Sequence, residues 1–209
     1  MKILAHSYVC PDGTKLNGKL VFDTKAEENP FKAAYQQLGA EYPKFYKMDV
    51  LSKMAFIGTE LLLPFFPKEA DLENDLFLLF ANSSSSQHTD NLFVDSYQKL
   101  NNPSPSLFVY TLPNIVTGEL SIRNKWYGEN SFFIEEQFNA ANFTEWAQIG
   151  FNKGNTLCLC GWVEAKTNGE QECFLFLLSP SEGTINSTEE EAILLKDILS
   201  TLIKQYRNE

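Results

Sequence analysis

Residues 104–165 read SPSLFVYTLPNIVTGELSIRNKWYGENSFFIEEQFNAANFTEWAQIGFNKGNTLCLCGWVEA, and this stretch decides the fold. It opens on an extended entry, and a helix is expected after Pro113. A short strand then spans roughly residues 130–136, followed by a second helix that ends near Lys153-Gly154. The apolar run 157–163 is too short for most helices and reads as a buried strand. Helix, strand, helix, strand at this spacing is an α/β pattern.

Downstream, Thr167-Asn168-Gly169-Glu170 separates the run 157–163 from a second apolar run, 173–178, which predicts an antiparallel hairpin. Ser187 or Thr188 is placed to cap a last helix over 187–206. Its first turn is acidic, Lys204 and Arg207 lie at its end, and Ile193, Leu194, Ile198, Leu199, Leu202 and Ile203 form its apolar stripe. Upstream, Leu76-Phe77-Leu78-Leu79-Phe80 is an unbroken apolar run, the pattern of a strand covered on both faces. Asp49 is placed to cap a helix carrying Val50, Leu51, Met54, Ile57, Leu61 and Leu62, closed by Pro64 and Pro67. Shorter elements precede it: a turn at Pro11-Asp12-Gly13, a strand at Lys19–Phe22 and a helix over 31–42. A helix is also expected over 89–100. The chain is expected to be one domain, 1–209, with a mostly parallel sheet, one antiparallel edge hairpin and flanking helices.

Composition is that of a globular protein, with 44% hydrophobic and 21% charged residues. Seventeen phenylalanines point to a Phe-rich core or interface. The net charge of −10 opposes binding to nucleic acid or to anionic membrane, which require clustered Lys and Arg. No stretch approaches the ~20 apolar residues of a membrane span, and the N-terminus lacks a signal-peptide core, so a cytoplasmic location is expected. The Asn-x-Ser/Thr triplets at Asn82, Asn142 and Asn186 then carry no glycosylation meaning.

Few residues offer chemistry. Cys10, Cys158, Cys160 and Cys173 have no metal or disulfide spacing, and Cys158 and Cys160 share one strand face as small apolar residues. Ser86, His88 and Asp90 lie within one short loop, whereas a catalytic triad converges from separate elements. The other histidine is His6, so zinc or histidine-based chemistry has little support. Glu135 and Glu136 are adjacent and point to opposite faces of a strand. No phosphate-binding glycine loop occurs, and no cofactor or metal is expected.

The order of several short pieces says more. Lys47-Met48-Asp49 with Ser52-Lys53-Met54-Ala55, Asn82-Ser83 with Thr89-Asp90, Ser104-Pro105, Leu112-Pro113-Asn114, Gly118-Glu119-Leu120-Ser121-Ile122 and Gly161-Trp162-Val163-Glu164 run in sequence. In this order they resemble the N-terminal half of β-ketoacyl synthases across residues 46–178. The resemblance implies a single thiolase-type half-fold, a five-stranded βαβαβαββ unit. In that family the nucleophilic cysteine sits at the start of the helix after the short strand. Counting from Gly128 and from Lys153-Gly154 places Gln137 there, as in cysteine-less chain-length factors and decarboxylating loading variants.

The resemblance further implies a dimer formed through the short strand, with Ser131, Phe133, Glu135, Gln137 and Phe138 as interface candidates. Asn114, Ile115, Gly118 and Glu119 are the candidates for shaping a partner's acyl tunnel. The expected role is a non-catalytic, chain-length-factor-like partner of a full-length ketosynthase, in polyketide, aryl-polyene or fatty-acid-type biosynthesis. An acidic acyl carrier protein would be met only indirectly, through a basic patch on the partner. Two alternatives stay open: a homodimeric module binding an acyl chain or other apolar ligand, and a malonyl-thioester decarboxylase assisted by Gln137. Half of a pseudo-symmetric core also calls for something to cover one sheet face.

Overall fold

The computed structural model describes residues 1–181 and 189–208. The expected cap at Ser187 or Thr188 lies outside them. Seven strands form one sheet: β1 (Lys2–Cys10), β2 (Gly13–Leu16), β3 (Lys19–Asp23), β4 (Leu76–Asn82), β5 (Asn130–Ile134), β6 (Leu157–Ala165) and β7 (Gln171–Ser179). Their order across the sheet is β3-β2-β1-β7-β6-β4-β5. Seven helices accompany them: α1 (Pro30–Leu38), α2 (Val50–Leu62), α3 (Gln87–Gln98), α4 (Pro105–Val109), α5 (Ile115–Asn124), α6 (Ala140–Asn152) and α7 (Glu189–Arg207).

The α/β class and the closing hairpin are as expected, but the sheet is mixed, with seven strands where five were expected. Only β4–β5 and β4–β6 run parallel. The pairs β6–β7, β7–β1, β1–β2 and β2–β3 are antiparallel. Parallel pairing occurs where helices carry the chain back across the sheet, and the N-terminal strands are joined by tight turns instead. β1 reads weakly in sequence because its main partner is at the other end of the chain: Lys2 pairs with Ser179 and Val9 with Cys173. At the turn between β2 and β3, Asn17 and Gly18 both have positive φ, 48° and 81°, the geometry of a two-residue hairpin. The entry is extended through Ser104, whose φ and ψ are −94° and 106°, but no further. Ser104 accepts a hydrogen bond from Leu107 N–H and Pro105 occupies the first turn, so the dipeptide starts the short helix α4.

Three central strands explain the unbroken apolar runs. Along β7, Cys173, Leu175 and Leu177 face one side of the sheet, and Phe174, Phe176 and Leu178 the other. β4 and β6 divide likewise, with Cys158, Cys160 and Trp162 of β6 on the Phe174 side. The Leu175 side packs against α1, α2 and α5 and the turn Pro43–Lys47 between α1 and α2, through residues such as Phe45, Met54, Phe56 and Leu120. α2 is capped by Asp49, whose carboxylate accepts from Ser52 N–H at 2.9 Å. It lies close to the sheet because Gly58 has no Cβ; one there would sit 2.9 Å from both Leu175 Cδ1 and Ser7 Oγ.

The Phe174 side is closed by α6 and α7. α6 contributes Phe143, Ala147 and Phe151, and α7 contributes Leu195, Leu199, Ile203 and Tyr206. The cover that a half-fold requires is therefore supplied within the chain. Tyr206 stacks on Tyr8 at 4.7 Å between ring centroids. Its hydroxyl accepts from Gly18 N–H at 3.0 Å and lies 2.6 Å from His6 Nδ1. With the Gly18 donor in place, the hydroxyl proton is free to serve a neutral His6 imidazole.

Two expectations follow. Leu199→Ala empties a fully buried position under α7 and is expected to cost about 2–5 kcal/mol in urea unfolding. A cost under about 1 kcal/mol would mean that α7 is not a true layer of the core. Burial also holds the His6 pKa below its ordinary 6.5. The folded state then binds fewer protons than the unfolded one, so this contribution is complete above 6.5 and is lost as pH falls through the lowered folded value. The urea midpoint is expected to drop between pH 7.5 and pH 5, and to drop less in His6→Gln. An equal drop in both proteins would exclude His6 as a source.

Candidate functional site

Because β4, β5 and β6 run parallel, their C-terminal ends meet along one rim of the sheet, where α/β proteins place their sites. The loop after Asn82, the segment after Ile134 and the β6–β7 turn gather there around a cleft of about 470 Å³. Gln137 lines this cleft, with Ser83, Trp162, Glu164 and Glu172. Gln137 is exposed and sits two residues before Asn139, the cap of α6. Asn139 itself accepts from Ala141 and Asn142 N–H, so the helix N-terminus is served by its own cap.

The carboxylates Glu164 and Glu172 stand directly opposite one another on β6 and β7. Like charges placed so repel, and each is balanced separately. Glu164, 2% exposed, accepts from Ser83 N–H at 2.8 Å, from Ser83 Oγ and from Ser84 Oγ. Glu172 accepts from Tyr8 Oη and Trp162 Nε1, both at 3.0 Å, and is gripped by Arg207 from the end of α7. Burial and the Glu172 charge push the Tyr8 phenol far above its ordinary pKa. Held by these fixed donors, the two carboxylates tie the serine loop, β1 and α7 to the hairpin.

No cysteine or histidine lines the cleft. Cys158 and Cys160 lie inside β6 with their sulfurs 3.5 Å apart, and Cys173 is buried in β7. Burial raises the pKa of Cys160, Cys173 and the half-buried Cys10, the reverse of what activates a thiol. Among the described residues no cluster suited to a metal occurs, and no helix is long and apolar enough to cross a membrane. Ser86 bonds to Asp90 and to the Thr111 carbonyl, tying α3 to the turn before α5, and His88 takes part in neither bond.

The remaining candidates occupy the neighbouring sheet edge. β5 is the last strand, so its outer backbone edge has no strand partner among the described residues. Phe133 turns inward and stacks on Trp146 of α6 at 4.1 Å, and Phe138 packs against Phe143 and Phe174. Ser131 and Glu135 are half-buried, and Glu135 N–H donates to the Asn82 carbonyl. Asn114 is exposed just before α5, and Gly118 and Ile122 lie on the outward side of the helix, whereas Ile115 is half-buried and packs against the core. Leu112 and Ile122 are 58% and 65% exposed, an apolar stripe that singling out tunnel residues alone does not reveal. Glu119 points the other way. It is buried, accepts from Tyr110 Oη at 3.0 Å and pairs with Lys44 at 2.8 Å, which fixes how α5 is presented.

No family model and no curated protein matches this chain in sequence. Solved structures do match in fold. A chain in the structure of a ketosynthase (ApeO) in complex with its chain length factor (ApeC) from Xenorhabdus doucetiae superposes with a TM-score of 0.59 at 15% identity, covering 95% of this chain and 90% of that one. A chain of the ishigamide ketosynthase/chain length factor gives 0.60 at 18% identity, covering 87% of this chain and 62% of that one. At these identities the likeness establishes a shared fold, that of the ketosynthase and chain-length-factor structures.

The clamp on Glu172 gives a direct expectation. Arg207→Leu leaves that carboxylate without its cation and is expected to cost about 1–3 kcal/mol. The double variant Arg207→Leu with Glu172→Gln should recover part of the loss in urea unfolding. Strict additivity of the two changes would show that the pair is not coupled.

Proposed function

We propose that this chain is a non-catalytic, chain-length-factor-like subunit that pairs with a full-length ketosynthase in polyketide, aryl-polyene or fatty-acid-type biosynthesis. The observation that carries the reading is the cleft at the sheet rim. By the sequence resemblance Gln137 stands at the place of a nucleophile, and neither thiol nor imidazole is among the residues lining the cleft around it. A glutamine amide forms no thioester; it can only donate or accept hydrogen bonds. The outer edge of β5, without a strand partner among the described residues, and the exposed Leu112, Gly118 and Ile122 supply the contact surface. An unpaired strand edge beside exposed apolar side chains is what a partner of the same architecture can cover.

Gln137 and Asn114 then contribute surface rather than chemistry, and Glu119 acts from beneath by holding α5. The net charge of −10 leaves the docking of an acidic carrier protein to the partner.

Co-expression with a full-length ketosynthase from the same genome, followed by native mass measurement, is expected to give a one-to-one complex. Ile122→Asp should weaken it by about tenfold or more without changing the circular dichroism spectrum, since a charge would be placed in an apolar contact. Gln137→Ala should leave turnover by the complex within about twofold, whereas a loss of the ~100-fold typical of an acid–base or oxyanion group would transfer the assignment to the decarboxylase alternative. No complex with any co-encoded ketosynthase would sink the proposal.

A further inference from the structure

α7 carries more apolar surface than its place in the core uses. Leu195, Leu199, Ile203 and Tyr206 face the sheet. A second row, Leu194, Ile198 and Leu202, again spaced by four, runs along the flank of the helix; Leu194 is 61% exposed and Ile198 41%. Together with β1, chiefly Ile3 and Ala5, this flank borders an open cleft of about 660 Å³. A helix on the surface of a monomer ordinarily shows one apolar stripe and a polar remainder.

We propose that this flank is a self-association surface, covered by α7 of a second copy lying antiparallel across a two-fold axis at Ile198. The row is symmetric about that residue, with Leu194 four positions before it and Leu202 four after. A two-fold rotation sets Ile198 against Ile198, and Leu194 of each copy against Leu202 of the other, as an isologous contact requires. The charges at the helix ends choose the same orientation. Glu189 and Glu190 occupy the first turn, beside Glu191, which is already paired with the Met1 amine, and Lys204 occupies the last, where Lys15 of β2 also approaches, 5.6 Å from the Tyr206 ring. Antiparallel copies bring acidic end to basic end and oppose the helix dipoles favourably; parallel copies would stack carboxylates on carboxylates. α7 lies over β1 and β7, with β6 and β4 between them and β5, so this contact leaves the outer edge of β5 open and does not rest on the role proposed above.

The test is the solution mass of the full chain by light scattering, at tens of micromolar. The wild-type protein is expected at twice the 23.8 kDa of one chain. Ile198→Glu is expected at the mass of one chain, with an unchanged circular dichroism spectrum and urea midpoint. Ile198→Cys, oxidised under mild conditions, should cross-link as a covalent dimer, and Asp197→Cys on the adjacent outward face should not. A wild-type monomer overturns the proposal, including one found by native mass spectrometry with an apolar ligand bound. So does a dimer that survives Ile198→Glu, or equal cross-linking at both positions. A dimer dissolved by Ile122→Asp but not by Ile198→Glu would place self-association on the α5 face instead.

Discussion

Phe174, Phe176 and Leu178 leave β7 toward a sheet face that also carries Phe77, Leu79, Cys158, Cys160 and Trp162. Left in water, each large side chain of that set would forfeit about 1.5–3 kcal/mol, and the sheet could not stand as a single layer. The arrangement of the chain follows from closing this face. α6 covers it beside β4 and β6, and α7 returns after the hairpin to cover it beside β1 and β7. The opposite face is closed independently by α1, α2 and α5. With both faces sealed, β4, β6 and β7 can be apolar at every position, whereas a strand solvated on one side would alternate.

Polar groups complete the closure at the rim. The two opposed carboxylates of the hairpin are costly unless each has its own donors, and they recruit them from three directions. Glu164 takes the serine loop after β4, and Glu172 takes Tyr8 of β1, Trp162 of β6 and Arg207 of α7. The cleft that holds Gln137 is therefore walled by groups already committed to one another. These bonds tie the serine loop, β1 and α7 to the hairpin at one place on the rim.

Much of the architecture was legible in local pattern. The apolar runs of β4 and β6, the cap at Asp49, the helix after Pro113 and the hairpin at Asn168-Gly169 each depend on residues near in sequence, and each is found. The errors fall where distant partners decide. β1 is a strand because β7 lies beside it, about 170 residues later along the chain. Asn17-Gly18 carried a local hairpin signal for β2 and β3, which extend the sheet beyond the expected five strands. Ser104-Pro105 carried a helix-start signal as well: Ser104 is extended, as a capping residue is, and the helix begins at Pro105.

By itself the sequence determined the α/β class, the buried central strands, the absence of a thiol near position 137 and the acidic character that disfavours nucleic acid. These depend on residue type and short-range spacing, which the chain carries wherever it folds. The tertiary structure alone decided that the sheet is mixed, that α7 closes the second face, that Phe133 and Phe138 turn inward while α5 presents Leu112 and Ile122, and that Glu164 and Glu172 are held by fixed donors. Those outcomes depend on which surfaces meet, and burial is a property of pairs of elements that no single segment of the chain encodes.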